Sequence, residues 1–210
     1  MKFTNITIWK NSCNISLVII LSFLTVSCLS IDIKSDFVQT KFYNLEKSKE
    51  AKDFGEILKG DVLISSFSLA EDISEDQILV KEKNGIRAYH YHRWTSALGQ
   101  MTRDYFIYEL SSGKLTSGRI LTKPSVTVPD YRIEVRIHRW IAVNSDDDSG
   151  VELSVEISLL DKKNKLLLNK IYEKTSPKKN KEAQTIAPAF SLGMGELMSE
   201  FASDVKNISK

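Results

Sequence analysis

The chain has 210 residues, 42% of them hydrophobic and 27% charged, with a formal net charge of +2 and two cysteines. So balanced a charge excludes the electrostatic footprint of a nucleic-acid binder, and no nucleic-acid partner is expected. Two cysteines, Cys13 and Cys28, are too few for a disulfide-stapled scaffold or a thiolate zinc site.

The leader comes first. Lys2 and Lys10 precede an apolar run through Ile15, Leu17, Val18, Ile19, Ile20, Leu21, Phe23 and Leu24, which ends at Ser27-Cys28. That is the length of a secretory signal, and too short to span a bilayer as a stable helix. A small residue followed at once by cysteine resembles a bacterial lipobox, with Thr25 standing where leucine is usual. Residues 1–27 therefore read as a lipoprotein signal peptide and Cys28 as the lipidation site. The alternative is an ordinary signal peptide cut elsewhere, which leaves Cys28 a free thiol. Acylation would tie a soluble domain to a membrane, each buried CH₂ contributing about 0.8 kcal/mol. Cys13, Lys2 and Lys10 leave with the signal, so Lys and Arg fall to parity with the 27 Asp and Glu and no cysteine pair remains. No later segment is apolar for long enough to cross a membrane.

Residues 28–36 read as the acylated tether, and 37–210 as a single domain. The first strand is expected over Phe37–Leu45, followed by a charged loop, Glu46–Lys52. Asp61–Leu69 reads as a strand in which Ser65-Ser66 breaks strict alternation. Ile78–Lys83 and Ile86–Tyr91 flank Asn84-Gly85, the strongest short hairpin signal. The period then turns helical: Trp94, Leu98, Met101, Tyr105 and Tyr108 recur at three and four, with a stop at Ser111-Ser112-Gly113. A short strand fits Leu115–Leu121.

Tyr131–Val143 is the cleanest alternating segment. Tyr131, Ile133, Val135 and Ile137 fall on one face, and Arg132, Glu134, Arg136 and His138 on the other. An acidic turn, Asn144–Gly150, leads to Val151–Leu160, and Asp161–Lys165 turns into Leu166–Lys174, which gives a long antiparallel meander. A basic linker, Thr175–Glu182, precedes a final helix whose stripe is Phe190, Met194, Leu197, Met198, Phe201, Val205 and Ile208. Pro188 suits its first turn. Gly193 and Gly195 weaken that helix, which suggests a close approach to the sheet. Two striped helices and a largely antiparallel sheet with one apolar face make an α+β two-layer sandwich.

The middle of the chain carries a more specific pattern. Phe67-Ser68-Leu69 ends a strand; Gln77-Ile78-Leu79-Val80-Lys81 begins the hairpin; Tyr89-His90-Tyr91 and His92-Arg93-Trp94 follow; Leu110-Ser111-Ser112-Gly113-Lys114-Leu115 closes the helix. With the opening Lys41-Phe42-Tyr43-Asn44-Leu45 and the lipobox, this resembles the ABC-type transport auxiliary lipoprotein family, which includes the paraquat-inducible protein C group. The resemblance implies a non-enzymatic accessory lipoprotein that works with ABC transporter subunits and a mammalian cell entry (MCE) domain protein. Such systems move lipids or other hydrophobic compounds between membranes. Leu29, in place of the aspartate that retains lipoproteins at the inner membrane, implies a periplasm-facing protein anchored at the outer membrane. Self-association is left open, and no cofactor is implied.

Tyr89, Tyr91, His92, Arg93 and Trp94 are the candidate partner-binding residues, as an exposed aromatic patch docking a protein or a lipid tail. As core aromatics, the same rings would anchor helix to sheet. His90 and His92 form an H-x-H that a strand would place on one face, with His138 nearby, but no carboxylate completes a metal set. The run Lys174–Lys181 reads as a solvated loop, and Asp146-Asp147-Asp148 lacks the spacing of a calcium loop. There is no G-x-S-x-G elbow, P-loop or dinucleotide fingerprint, so no catalytic residue is assigned. The residues alone also allow a second reading, a surface-exposed lipoprotein acting as a binding module.

Overall fold

A long strand through the middle of the sheet organises everything else. In a computed structural model, which describes residues 38–47, 52–123, 126–145 and 149–209, the elements in chain order are β1 (Lys41–Tyr43), β2 (Val62–Leu69), β3 (Gln77–Glu82), β4 (Gly85–Trp94), α1 (Leu98–Ser112), β5 (Ile120–Leu121), β6 (Tyr131–Asn144), β7 (Ser149–Asp161), β8 (Leu166–Pro177), a 3-10 turn (Ala183–Thr185) and α2 (Ile186–Ile208). Cys28, the leader, the tether and the Asp146–Asp148 turn lie outside the described residues. Residues 39–210 form one compact unit.

β6 pairs along one edge with β7, antiparallel from Tyr131↔Asp161 to Asn144↔Ser149. Its other edge is shared. β2 runs parallel to its first half, from Val62↔Tyr131 to Leu69↔Ile137, and β3 joins its far end at Val80↔Ala142 and Lys81↔Val143. Beyond β3 lie β4 and then β1, the latter parallel to β4. β8 continues the sheet past β7. Most of the paired length is antiparallel, while β6 receives β2 and β3 in parallel. This is the α+β layering that the alternation implies, with the helices packed on the sheet.

Local chemistry explains the main features. In β7, Val151, Leu153, Val155, Ile157 and Leu159 are all buried, so strict period-two alternation gives one apolar face. In β6 the same face holds Ile133, Val135 and Ile137. A register shift between Ile137 and Arg139 then moves Trp140 and Ala142 onto it, opposite Leu153 and Val151. The Ser65-Ser66 interruption in β2 is likewise a bulge, falling between Ile64 and Ser66. The hairpin turns at Asn84-Gly85, where Gly85 has φ +130.

α2 covers the inward-facing residues of β8. Lys170 Nζ bridges Glu200 and Asp204 at 2.9 Å each, Lys174 Nζ meets Glu200 at 2.5 Å, and Tyr172 packs edge-on against Phe201. Gly193 lets the helix come close. A Cβ there would lie 2.3 Å from Leu153 Cδ1 and 2.8 Å from Ser176 Oγ. Gly195 has no such role, since its Cβ would meet nothing nearer than Tyr105 Oη at 3.9 Å. At the centre of the core, Phe190 stacks on Trp140 with centroids 4.2 Å apart and takes Trp94 edge-on at 5.8 Å.

Several boundaries differ from the sequence reading. Trp94 ends β4 and the helix begins at Leu98, where Glu75 accepts from the N–H groups of Leu98 and Gly99. Among the described residues the first strand shrinks to Lys41–Tyr43, and the strand expected over Leu115–Leu121 to its last two residues. β8 runs on to Pro177, so Thr175, Ser176 and Pro177 are strand, not linker. Composition hid this, because Ser176 is buried against Gly193 rather than by any apolar side chain of its own.

Candidate functional site

The proposed partner-binding segment sits on the irregular part of β4. Gln77 pairs with Arg93 but Leu79 pairs with Ala88, so the stretch Tyr89–His92 bulges opposite Ile78. The bulge sends neighbouring side chains to separate tasks.

Trp94 is 3% exposed and belongs to the core stack, so it does not contribute to an exposed patch. Arg93 pairs with Asp76 at 2.5 Å, while Trp94 N donates to the Asp76 carbonyl. His92 Nδ1 lies 2.8 Å from Tyr43 Oη, and burial, aided by the Lys41 charge, holds the imidazole below its ordinary pKa. Tyr89 accepts from Asn144 Nδ2 at 2.9 Å and carries the Arg87 guanidinium over its ring at 5.0 Å. Arg87 in turn grips Glu82 bidentately, at 2.9 and 2.6 Å. Only Tyr91 stays substantially open, at 49% exposure. Phe42 is 61% exposed on the neighbouring strand, where Lys41 pairs with His92, so the two open rings flank one register pair.

The histidines do not converge. His90 is exposed beside Tyr91, His92 is engaged by Tyr43, and His138 Nε2 binds Glu156 Oε2 on β7 at 2.8 Å. Among the described residues no three His, Cys, Asp or Glu side chains come together as a metal set. The basic run is not uniformly solvated either. Lys178 is buried and donates to Asn144 Oδ1, which joins it to Tyr89 through one amide. Burial, with a contribution from Lys181, pulls its pKa down to about 8.

A second feature escaped the sequence reading. A groove of about 330 Å³ opens between α1, α2 and the described residues Glu46, Lys47, Lys52 and Phe54. Phe54, Tyr105, Leu192 and Gly195 line it; Lys47, Lys52, Glu46 and Glu196 stand around it. Glu109 also lines it and is only 5% exposed, yet among the described residues its Oε1 has no hydrogen-bond partner. An unmatched buried acceptor costs on the order of 1–3 kcal/mol. Tyr105 Oη donates to the Ser191 carbonyl at 3.0 Å, and burial raises the phenol pKa strongly, with Glu109 adding to it. Lys47 Nζ lies over the Tyr108 ring and Lys52 Nζ donates to Ser199 Oγ. The missed signal was available. The buried stripe of α1 runs Leu98, Met101, Thr102, Tyr105, Phe106, Glu109 and Leu110, which puts a carboxylate where an apolar residue is due.

Against known proteins, the sequence model of the ABC-type transport auxiliary lipoprotein component family matches residues 43–202. Several solved structures resemble the chain, among them two over most of its length. Protein XCC0632 from Xanthomonas campestris aligns with a TM-score of 0.67 at 13% identity, over 80% of this chain and 96% of its own. An uncharacterized protein aligns with a TM-score of 0.64 at 12% identity, over 80% and 99%. At such identities these likenesses establish the fold. No match was found among curated proteins.

Proposed function

The chain belongs to the ABC-type transport auxiliary lipoprotein component family, and from that premise we propose that it is a non-enzymatic docking and anchoring component of an MCE-type path carrying lipid or another hydrophobic compound between membranes. Acyl chains on Cys28 hold it at the outer membrane, facing the periplasm. Its partners are an MCE-domain protein and ABC transporter subunits. The observation that carries this reading is the extent of the family match, which begins at the last residue of β1 and ends within α2, so that it takes in strands β2 to β8, α1 and most of α2. The open rings of Phe42 and Tyr91, beside the short strand β1, supply an apolar contact suited to a partner chain.

Membrane fractionation of Cys28→Ala, with affinity purification of the wild type from crosslinked cells, tests the proposal. The reading expects the variant to become soluble and the wild type to bring down a transporter or MCE subunit. A variant that stays with the membrane, or a wild type that recovers no such subunit, contradicts it.

A further inference from the structure

Among the described residues β8 pairs with β7 alone, so its other edge presents a row of backbone N–H and C=O groups along a strand of 12 residues. Sheet edges are ordinarily blunted by shortness, by a bulge or by charge. In this protein β1 and β5 have three and two residues, and the length of β4 that β1 leaves uncovered runs into the bulge at Tyr89–His92. β8 has none of these devices. Its proline, Pro177, is its last residue. Its lysines do not shield the edge either, because Lys170 and Lys174 lie on the face that α2 covers and are held there by Glu200 and Asp204. On the opposite face Asn169, Ile171, Glu173 and Thr175 are exposed, and Ile171 sets an aliphatic side chain 51% open to solvent in the middle of the strand.

The order of side chains along this edge selects what fits it. Two copies related by a two-fold axis perpendicular to the sheet pair antiparallel, and residues opposite each other then point to the same face. Only registers centred on a residue meet that condition. Centring on Lys170 sets that lysine against itself, centring on Tyr172 sets Lys170 against Lys174, and centring on Glu173 brings two carboxylates together. Like charges directly opposite are destabilising. Centring on Ile171 places that side chain against its own symmetry mate, Asn169 against Glu173 and Leu167 against Thr175, with no like-charged pair from residue 166 to residue 176.

We propose that two copies of this chain join edge to edge through β8, antiparallel and centred on Ile171, so that one sheet runs through both. The contact uses a different edge of the sheet from Phe42 and Tyr91, and it stands or falls apart from the transport reading.

Cysteine pairing in the full-length protein, purified in detergent and mildly oxidised, tests it. Facing residues of antiparallel strands have Cα atoms about 4.5–5.5 Å apart, within disulfide reach, whereas a residue four positions along is about 14 Å away. Ile171→Cys should give a disulfide dimer beyond any formed by the wild type, whose own cysteines are Cys13 and Cys28. Asn169→Cys or Glu173→Cys alone should not, and co-expressed copies carrying one each should. Sedimentation equilibrium gives a second reading. The wild type should be dimeric, and Ile171→Lys, which sets two ammonium groups at the axis, should weaken the dimer by about tenfold or more with the thermal midpoint of the fold unchanged. A monomeric wild type, an Ile171→Cys protein with no more dimer than the wild type, equal crosslinking at residues 169 and 171, or an Ile171→Cys adduct to a different polypeptide overturns the proposal.

Discussion

At the scale of single residues, the candidate patch on β4 separates into groups that hold the fold and one group left open. Truncating Trp94 to alanine removes one side of the Phe190–Trp140 stack and is expected to cost about 3–5 kcal/mol, read by denaturant unfolding. Tyr91→Ser should change stability by less than about 0.5 kcal/mol, because the ring is open to solvent. Loss of partner recovery in that variant, with folding intact, would mark docking; unchanged recovery would show that Tyr91 has no part in it. Lys178 gives a pH signature. Its folded pKa, about 8, lies below the ordinary lysine value, so the unfolded chain binds more protons between those two values. Its burial penalty therefore falls as pH rises from about 8 towards about 10.5, a relative gain of roughly 1–3 kcal/mol. Urea midpoints across that range should show the wild type gaining on Lys178→Met; parallel pH profiles would contradict it.

At the scale of elements, what was legible depended on how local its cause is. Alternation in β6 and β7 needs only each strand's own side chains, and both strands appear where the pattern puts them. The Ser65-Ser66 interruption could be seen in the sequence and is a bulge. The bulge at Tyr89–His92 was not visible, because it arises from the register against Gln77 and Leu79 rather than from composition. Alternation alone places His90 and His92 together, and the bulge parts them. The parallel pairing of β2 with β6 joins segments far apart in the chain, and no periodicity reports that. In α1, reading Tyr108 as the stripe position concealed Glu109, since a rule that seeks apolar residues steps past a carboxylate. The two glycines of α2 make the distinction testable. Gly195→Ala should stabilise by up to about 1 kcal/mol. Gly193→Ala should destabilise by about 1–3 kcal/mol, because Leu153 and Ser176 must shift. Thermal melts of the two variants should move in opposite directions; a shared direction would contradict this account of the packing.

At the scale of the whole molecule, the proposal joins an N-terminal signal that ends at Cys28 to a folded body whose core is continuous from β1's neighbours to α2. No helix among the described residues is long and apolar enough to cross a membrane. The acyl chains on Cys28 are then the attachment the proposal relies on, and a single chain holds only reversibly, so firm anchoring calls for more than one. The family match accounts for the body, and the partners follow from the proposal built on it. The most direct measurement is photo-crosslinking in intact cells from a reactive amino acid placed at Tyr91, with the adducts identified by mass spectrometry. The account predicts an adduct to an ABC transporter subunit or an MCE-domain protein, lost when Cys28 is changed to alanine. Adducts confined to extracellular proteins, in cells whose copy of the protein is cut by external protease, would contradict it and favour a surface binding module.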